Sequence, residues 1–264
     1  MNPSYNTTEE FLRIALKQKQ IPSILYKYCS VKTALLILGN NSVKFSTCKE
    51  FNDPFDCAIA IDGNNTYQEW RDYLIQQGAS SVDAEILASK ITSDPIQAER
   101  TIVEGHKRAI DEMGIFCMTT KNDNILMWSH YADFHKGVCL EFDISKDLKT
   151  FLLPRKVVYS NDYPKLNYIQ SYLKNELKMH LALWHKSKDW EYEDEFRAIK
   201  PNKSGLIQFQ KSSLTGIIFG CKCGEEKRKE IAKMVREKLF PNVKLKEASM
   251  SRAQYKLDIK EYKP

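Results

Sequence analysis

Residues 115–143, IFCMTTKNDNILMWSHYADFHKGVCLEFD, decide how the chain folds. Ile115–Thr120 is strand-like, Asn124–Tyr131 is a short helix, and Gly137–Asp143 is a clear strand rich in apolar residues. Upstream, Ser23–Cys29 reads as a strand, Val31–Leu38 as a helix closed by Gly39, and Ser42–Thr47 as an alternating strand. A first helix over Thr8–Lys19 stops before Pro22. Downstream come a strand over Arg155–Ser160 and a helix over Tyr168–Trp184, with Ile169, Tyr172, Leu173, Leu177, Leu181 and Trp184 as its apolar stripe. Strands follow over Glu193–Lys200, Leu206–Gln210 and Leu214–Cys221, then a helix over Glu225–Leu239 and short strands near Val243–Glu247 and Tyr255–Ile259. Strands and helices interleave too irregularly for a doubly wound parallel sheet. The pattern predicts an α+β fold: a mixed, mostly antiparallel sheet with flanking helices.

Thr66–Met113 is wholly helical in pattern, broken near Gly78 and Asp94-Pro95. It is the most polar stretch and reads as a helical insertion or lid (residues 66–113) within a single domain spanning 1–264. The 264 residues, with 42% hydrophobic and 28% charged side chains, suffice for one large core. No window approaches the ~18 consecutive apolar residues of a membrane span. The polar start, Met1–Glu10, lacks the order of a secretory signal. Seven scattered cysteines, an odd number, point to free thiols and a cytoplasmic setting. From Lys200 onward sixteen Lys/Arg face seven Asp/Glu, so the C-terminal third is basic. It is either a solvated helix face or a surface that attracts nucleic acid or a phosphorylated ligand, through which a nucleic-acid or protein acceptor would be met.

Four segments carry more polar and aromatic residues than plain elements need. In Leu25-Tyr26-Lys27-Tyr28, strand geometry puts both tyrosines on one face and Lys27 on the other. Phe51-Asn52-Asp53-Pro54-Phe55-Asp56 is a turn, whose two carboxylates fall short of a metal cage. In Met127-Trp128-Ser129-His130-Tyr131-Ala132, the rings of Trp128, His130 and Tyr131 can line a pocket for a planar ligand. His130 and His135, five apart, do not share a helix face as zinc ligands would. In Trp190-Glu191-Tyr192-Glu193-Asp194-Glu195-Phe196-Arg197, an extended chain puts Glu193, Glu195 and Arg197 on one face. That row is either a catalytic set of acids or a solvated ion-pair ladder contributing at most ~1 kcal/mol. All four segments are expected to converge on one cleft. Cys221-Lys222-Cys223 lacks the second pair that a zinc site would need.

Taken together, these segments resemble the bacterial domain-of-unknown-function 2971 family, over roughly Leu25 to Lys200. More loosely, the order of strand, helix, strand with Ser, and late strand with Glu-x-Glu is similar to the ADP-ribosyltransferase superfamily. That resemblance implies an NAD-using transferase, with Lys27 and Ser46 on the first two strands and Glu193 or Glu195 as the catalytic carboxylate. Such groups often serve as toxins or in phage defence. On this reading Glu195, Glu193 and His130 carry the chemistry. The dinucleotide contacts Lys27, Tyr28, Ser46, Asn52, Asp53, Tyr131 and Arg197. A carboxylate near the ribose stabilises the oxocarbenium-like cation that forms as nicotinamide leaves. Tyr28 or Tyr131 stacks on the ring, and Lys27 or Arg197 meets the pyrophosphate. Glu195 is the favoured charge stabiliser, with Arg197 keeping it ionised. Two alternatives remain: a metal-dependent nuclease using Asp53, Asp56, His130 and Glu195, with the basic third as tether, and a non-catalytic binding module.

Overall fold

A computed structural model describes residues 8–61, 65–152, 154–167, 169 and 180–263. In chain order its first elements are α1 (Thr8–Lys17), β1 (Ile24–Cys29), α2 (Val31–Asn40), β2 (Ser42–Phe45) and β3 (Ala60–Ile61). Next come α3 (Tyr67–Gln76), α4 (Ser81–Ser93), α5 (Pro95–Asp111), β4 (Gly114–Thr119), α6 (Ile125–Tyr131) and β5 (Val138–Asp143). These are followed by β6 (Arg155–Lys156), β7 (Val158–Ser160), β8 (Lys165–Leu166), α7 (His180–Trp184), β9 (His185–Ser187) and β10 (Glu195–Lys200). The chain finishes with β11 (Gly205–Gln208), β12 (Leu214–Phe219), α8 (Glu225–Glu237), β13 (Lys244–Met250) and β14 (Leu257–Glu261). The architecture is α+β, as the irregular interleaving requires.

The chain divides into two compact units. The first holds residues 1–46, 114–157 and 189–264. Its eight-stranded sheet runs β14-β13-β12-β5-β1-β4-β10-β6, and only the β12–β13 pair is parallel. One face carries Leu25, Leu140, Phe142, Ile217 and Phe219, covered by apolar residues of α2 and α8 such as Ala34, Leu38, Ile231 and Val235. The Phe116, Phe142 and Phe151 rings meet there at 5.3–6.2 Å. Fully burying one such ring stabilises by roughly 1.5–3 kcal/mol. The opposite face carries Tyr28, Cys139, Ile218 and Ala248, packed with Met127 and Trp128 of α6.

The second unit holds residues 47–113 and 158–188, and the helical stretch 66–113 falls within it. Its α3–α5 helices break where glycine and proline predict. Gly78 takes φ +93°, and Asp94 caps α5 just before Pro95. The expected strand over Arg155–Ser160 is two strands, because β6 pairs with β10 while β7 pairs in parallel with β9. Most of the expected Tyr168–Trp184 helix lies outside the described residues; of its stripe, Ile169 is buried against Trp70 and Ala88. The helix expected to close at Gly39 runs on to Asn40 and is capped by left-handed Asn41, φ 51°.

Gly137 leads into β5 where two chain segments press on it. A Cβ there would strike the carbonyl oxygens of Cys29 and Ala132. Gly137→Ala is therefore expected to lower stability by about 1–3 kcal/mol, as overpacking does, read as a drop in the urea midpoint. All seven cysteines are free thiols. Burial pushes the Cys29 thiol up to about 12 and raises Cys117 and Cys139 well above the ordinary range. Since the thiolate is the reacting form, these three are expected to resist alkylation at about pH 8 until denaturant is added. Fast modification of any of them in the native chain would show that the sheet opens readily.

Candidate functional site

The register of the sheet sorts the candidate residues by face. Tyr26 is opposite Thr119, and Thr119 is opposite Glu195, so these three side chains share one face. Arg197, Cys117 and Ile115 alternate onto the same face. Ser46 joins Ile115 through two backbone hydrogen bonds of 2.9 and 2.8 Å, which puts it in the same row. Lys27 points the other way. Its ammonium lies 5.3 Å from the centre of the Phe116 ring, on the phenylalanine-rich face. The expected convergence of Lys27 with Glu195 and His130 therefore fails, because one residue of offset on a pleated strand reverses the direction of a side chain.

The late acids do not form the solvated row that an extended chain would give. Lys188–Glu193 winds into a 3-10 helix, and Asp194 takes φ 44° before β10 begins at Glu195. This left-handed residue is held from two sides: the Thr120 hydroxyl donates to its carboxylate, and Lys156 lies 2.6 Å from the other oxygen. Burial opposes its ionisation, yet Lys156 and Thr120 together hold the carboxyl below its ordinary value. Glu195 and Arg197 are 4% and 0% exposed, so the expectation of an exposed ion pair is overturned. Arg197 Nε and Nη2 donate to the two carboxylate oxygens at 2.8 and 3.2 Å. This fork fixes both side chains, and Cys117 lies beneath, its thiol raised by burial and by Glu195.

Glu193 has a different setting. It is 3% exposed, and the Tyr131 hydroxyl donates to its Oε1 at 2.5 Å. Beside it, His130 Nδ1 lies 2.9 Å from the Tyr192 hydroxyl. The His130 ring packs near the rings of Tyr131, Trp190 and Tyr192, at 6.3, 6.4 and 5.9 Å. Asn124 ties these parts together. Its Oδ1 caps α6 by accepting from Leu126 and Met127, while its Nδ2 donates to the Tyr192 carbonyl at 3.0 Å. One asparagine thus sets α6, with His130 and Tyr131, against the 3-10 turn that carries Trp190, Tyr192 and Glu193.

Two expected ring platforms are core residues. Trp128 is fully buried, with Nε1 donating to the Asn122 carbonyl. Tyr28 meets it edge-on at 5.1 Å, and its hydroxyl donates to the Lys121 carbonyl. Burial, with Cys139 and Asp123, raises the Tyr28 phenol far above its ordinary value. Tyr26 is pushed up to about 12 by burial and then by Glu141.

Asn52 and Asp53 belong to the second unit. There Asp53 is 7% exposed and its Oδ1 accepts from the Phe55 N–H at 2.9 Å; its Oδ2 has no hydrogen-bond partner among the described residues. Asp53 lines a cavity of about 510 Å³ with Lys49, Asp56 and His106. Asp56 lies 3.6 Å from the buried Lys186 ammonium. Among the described residues, no group of three or more His, Cys, Asp or Glu converges to hold a metal ion. Within the basic C-terminal third, Arg228 and Lys260 pair with Glu247, Lys246 with Glu141, and Lys256 with Asp258, so part of the positive excess is compensated locally. No described helix is long and apolar enough to cross a membrane.

The fold and site define an α+β protein whose buried acids meet an aromatic cluster on one face of a mixed sheet. Residues 127–198 match the family described as Protein of unknown function (DUF2971), a stretch that includes His130, Tyr131, Glu193, Glu195 and Arg197. No curated protein and no solved structure matches the chain.

Proposed function

We propose that the chain is an ADP-ribosyltransferase-like enzyme that breaks the nicotinamide–ribose bond of NAD, with Glu193 as the carboxylate facing the developing cation. The observation that carries this reading is the Tyr131–Glu193 hydrogen bond of 2.5 Å beside the His130, Trp190 and Tyr192 rings. A carboxylate oriented by a short bond in a nearly dry setting acts on a forming cation far more strongly than one in water. The neighbouring rings suit a planar nicotinamide, and Arg155, exposed on β6 opposite Arg197, suits a pyrophosphate. Glu195, the carboxylate first favoured for this role, is better read as the partner that keeps Arg197 in place. This reading leaves out Lys27, which points to the opposite face, and Tyr28, which is buried against Trp128.

The residues so assigned bind, orient and exclude water: the rings hold the base, and Tyr131 fixes the carboxylate. The acceptor, a protein or a nucleic acid, is expected to meet the basic C-terminal third. Purified chain mixed with NAD is expected to bind it by calorimetry and to release nicotinamide, slowly without acceptor. Neither binding nor release at millimolar NAD would sink the proposal. A role as a toxin or phage-defence effector would appear as growth arrest on expression, relieved by Glu193→Gln.

A second reading, the non-catalytic module, is favoured by the extent to which the polar atoms satisfy one another. Tyr28, Asn124, Tyr131 and Arg197 all have protein partners. A metal-dependent nuclease has less support, since both Glu195 oxygens are engaged by Arg197.

A further inference from the structure

Cys221 and His135 are 86 residues apart in sequence, yet the Cys221 Sγ lies 3.8 Å from His135 Nδ1. We propose that Cys221 is a site of thiol–disulfide exchange with small anionic disulfides, with His135 as the base that activates it.

Both side chains are half-buried and line a cavity of about 560 Å³. The exposed cations Lys222 and Arg252 also line it, as does Lys256, which pairs with Asp258 at 3.3 Å, and no carboxylate lines it among the described residues. A disulfide bearing carboxylates fits that charge pattern, and a cationic one does not. The pair is held in advance. The Lys222 N–H donates to the His135 carbonyl at 3.0 Å, and the His135 N–H donates to the Trp128 carbonyl at 3.1 Å. The imidazole lies parallel to the Trp128 ring, 6.4 Å away, and Asp133, Phe134 and His135 are three successive left-handed residues. Such a run costs of order 1 kcal/mol or more per residue and persists only where the surroundings enforce it. Burial, then the Lys222 ammonium, holds His135 below the ordinary imidazole range, so the ring is neutral near neutrality, and in its Nε2–H tautomer the Nδ1 that faces Cys221 Sγ is an acceptor.

In the exchange, His135 Nδ1 takes the Cys221 proton and the thiolate attacks one sulfur of the disulfide. A Cys221–sulfur bond forms as the original S–S bond breaks. The departing thiolate then takes the proton from His135. One thiol and one disulfide become one mixed disulfide and one thiol, with no other oxidant. Cys223, two residues on, is buried and its thiol is raised, so it is a poor competitor.

The test incubates the full chain with oxidised glutathione near neutral pH and maps the adduct by mass spectrometry without reductant. Cys221 is expected to be modified at least about tenfold faster than the half-buried Cys48 and Cys57. Excess reduced glutathione should remove the adduct. Cystamine, a cationic disulfide, should react at least about tenfold more slowly at Cys221. His135→Asn, which tolerates a left-handed backbone, should slow the glutathione reaction about tenfold or more. Modification of Cys48 or Cys57 at an equal rate, or no adduct, overturns the site. Equal rates with cystamine overturn the anionic class, and an unchanged rate in His135→Asn overturns the base. Should that variant fail to fold, the parent chain's site and charge comparisons still decide.

Discussion

Glu195→Gln is expected to lose about 3–5 kcal/mol of stability, the cost of removing the carboxylate that a buried guanidinium meets with two hydrogen bonds. Arg197 is fully buried, and its guanidinium donates twice to Glu195 across 2.8 and 3.2 Å. Glutamine keeps the shape but offers one neutral oxygen, and its amide N–H groups face the guanidinium as donor against donor. The comparison that separates charge from packing is the double variant Glu195→Gln with Arg197→Met. Without the cation the glutamine loses its reason to destabilise, so the two changes together should cost less than their sum. Urea unfolding of the parent, both single variants and the double variant gives the coupling. A loss below about 1 kcal/mol in Glu195→Gln would mean that the pair is screened like a surface ion pair.

Glu193→Gln is expected to cut nicotinamide release by about 10²-fold or more while NAD affinity changes little, the pattern of a lost transition-state contact. The change removes a charge, yet glutamine can still accept the Tyr131 hydroxyl, so the part of the stability carried by that bond, about 1 kcal/mol, is kept. That contrast is the useful part. Of the two glutamates, Glu195 should report mainly through stability and Glu193 mainly through turnover per folded molecule. Tyr131→Phe should fall between the parent and Glu193→Gln in rate, because the carboxylate stays but loses the bond that orients it. Equal turnover per folded molecule in the parent and in Glu193→Gln would leave the cluster a structural module.

Much of the site was legible in the sequence as position and little of it as direction. Met127–Ala132 and Trp190–Arg197 stand out by composition, and both enter the site. The alternation rule also read Tyr26, Lys27 and Tyr28 rightly as face and opposite face. What the rule lacked was the partner strands. Only the pairing of Tyr26 with Thr119, and of Thr119 with Glu195, shows that Lys27 is on the far side from the acids. The same rule failed at Asp194, where a left-handed residue, held by Lys156 and Thr120, separates Glu193 from Glu195. Both of those partners are remote in sequence, and no local signal announces them. An extended chain would put Tyr192 on the side away from the acids, whereas the 3-10 turn brings its hydroxyl to His130.

By itself the sequence determined the α+β class, the breaks at Gly78 and Asp94-Pro95, and the segments where polar and aromatic residues crowd. These depend on backbone propensity and on the periodicity of apolar residues, which are local properties. Only the tertiary structure decided that Glu195 is the buried anchor of Arg197, that Glu193 meets Tyr131 beside His130, and that Cys221 faces His135. Each of those facts depends on strand register and on contacts between residues far apart in the chain. Such contacts are selected by the packing of the whole sheet, and no window of neighbouring residues contains them.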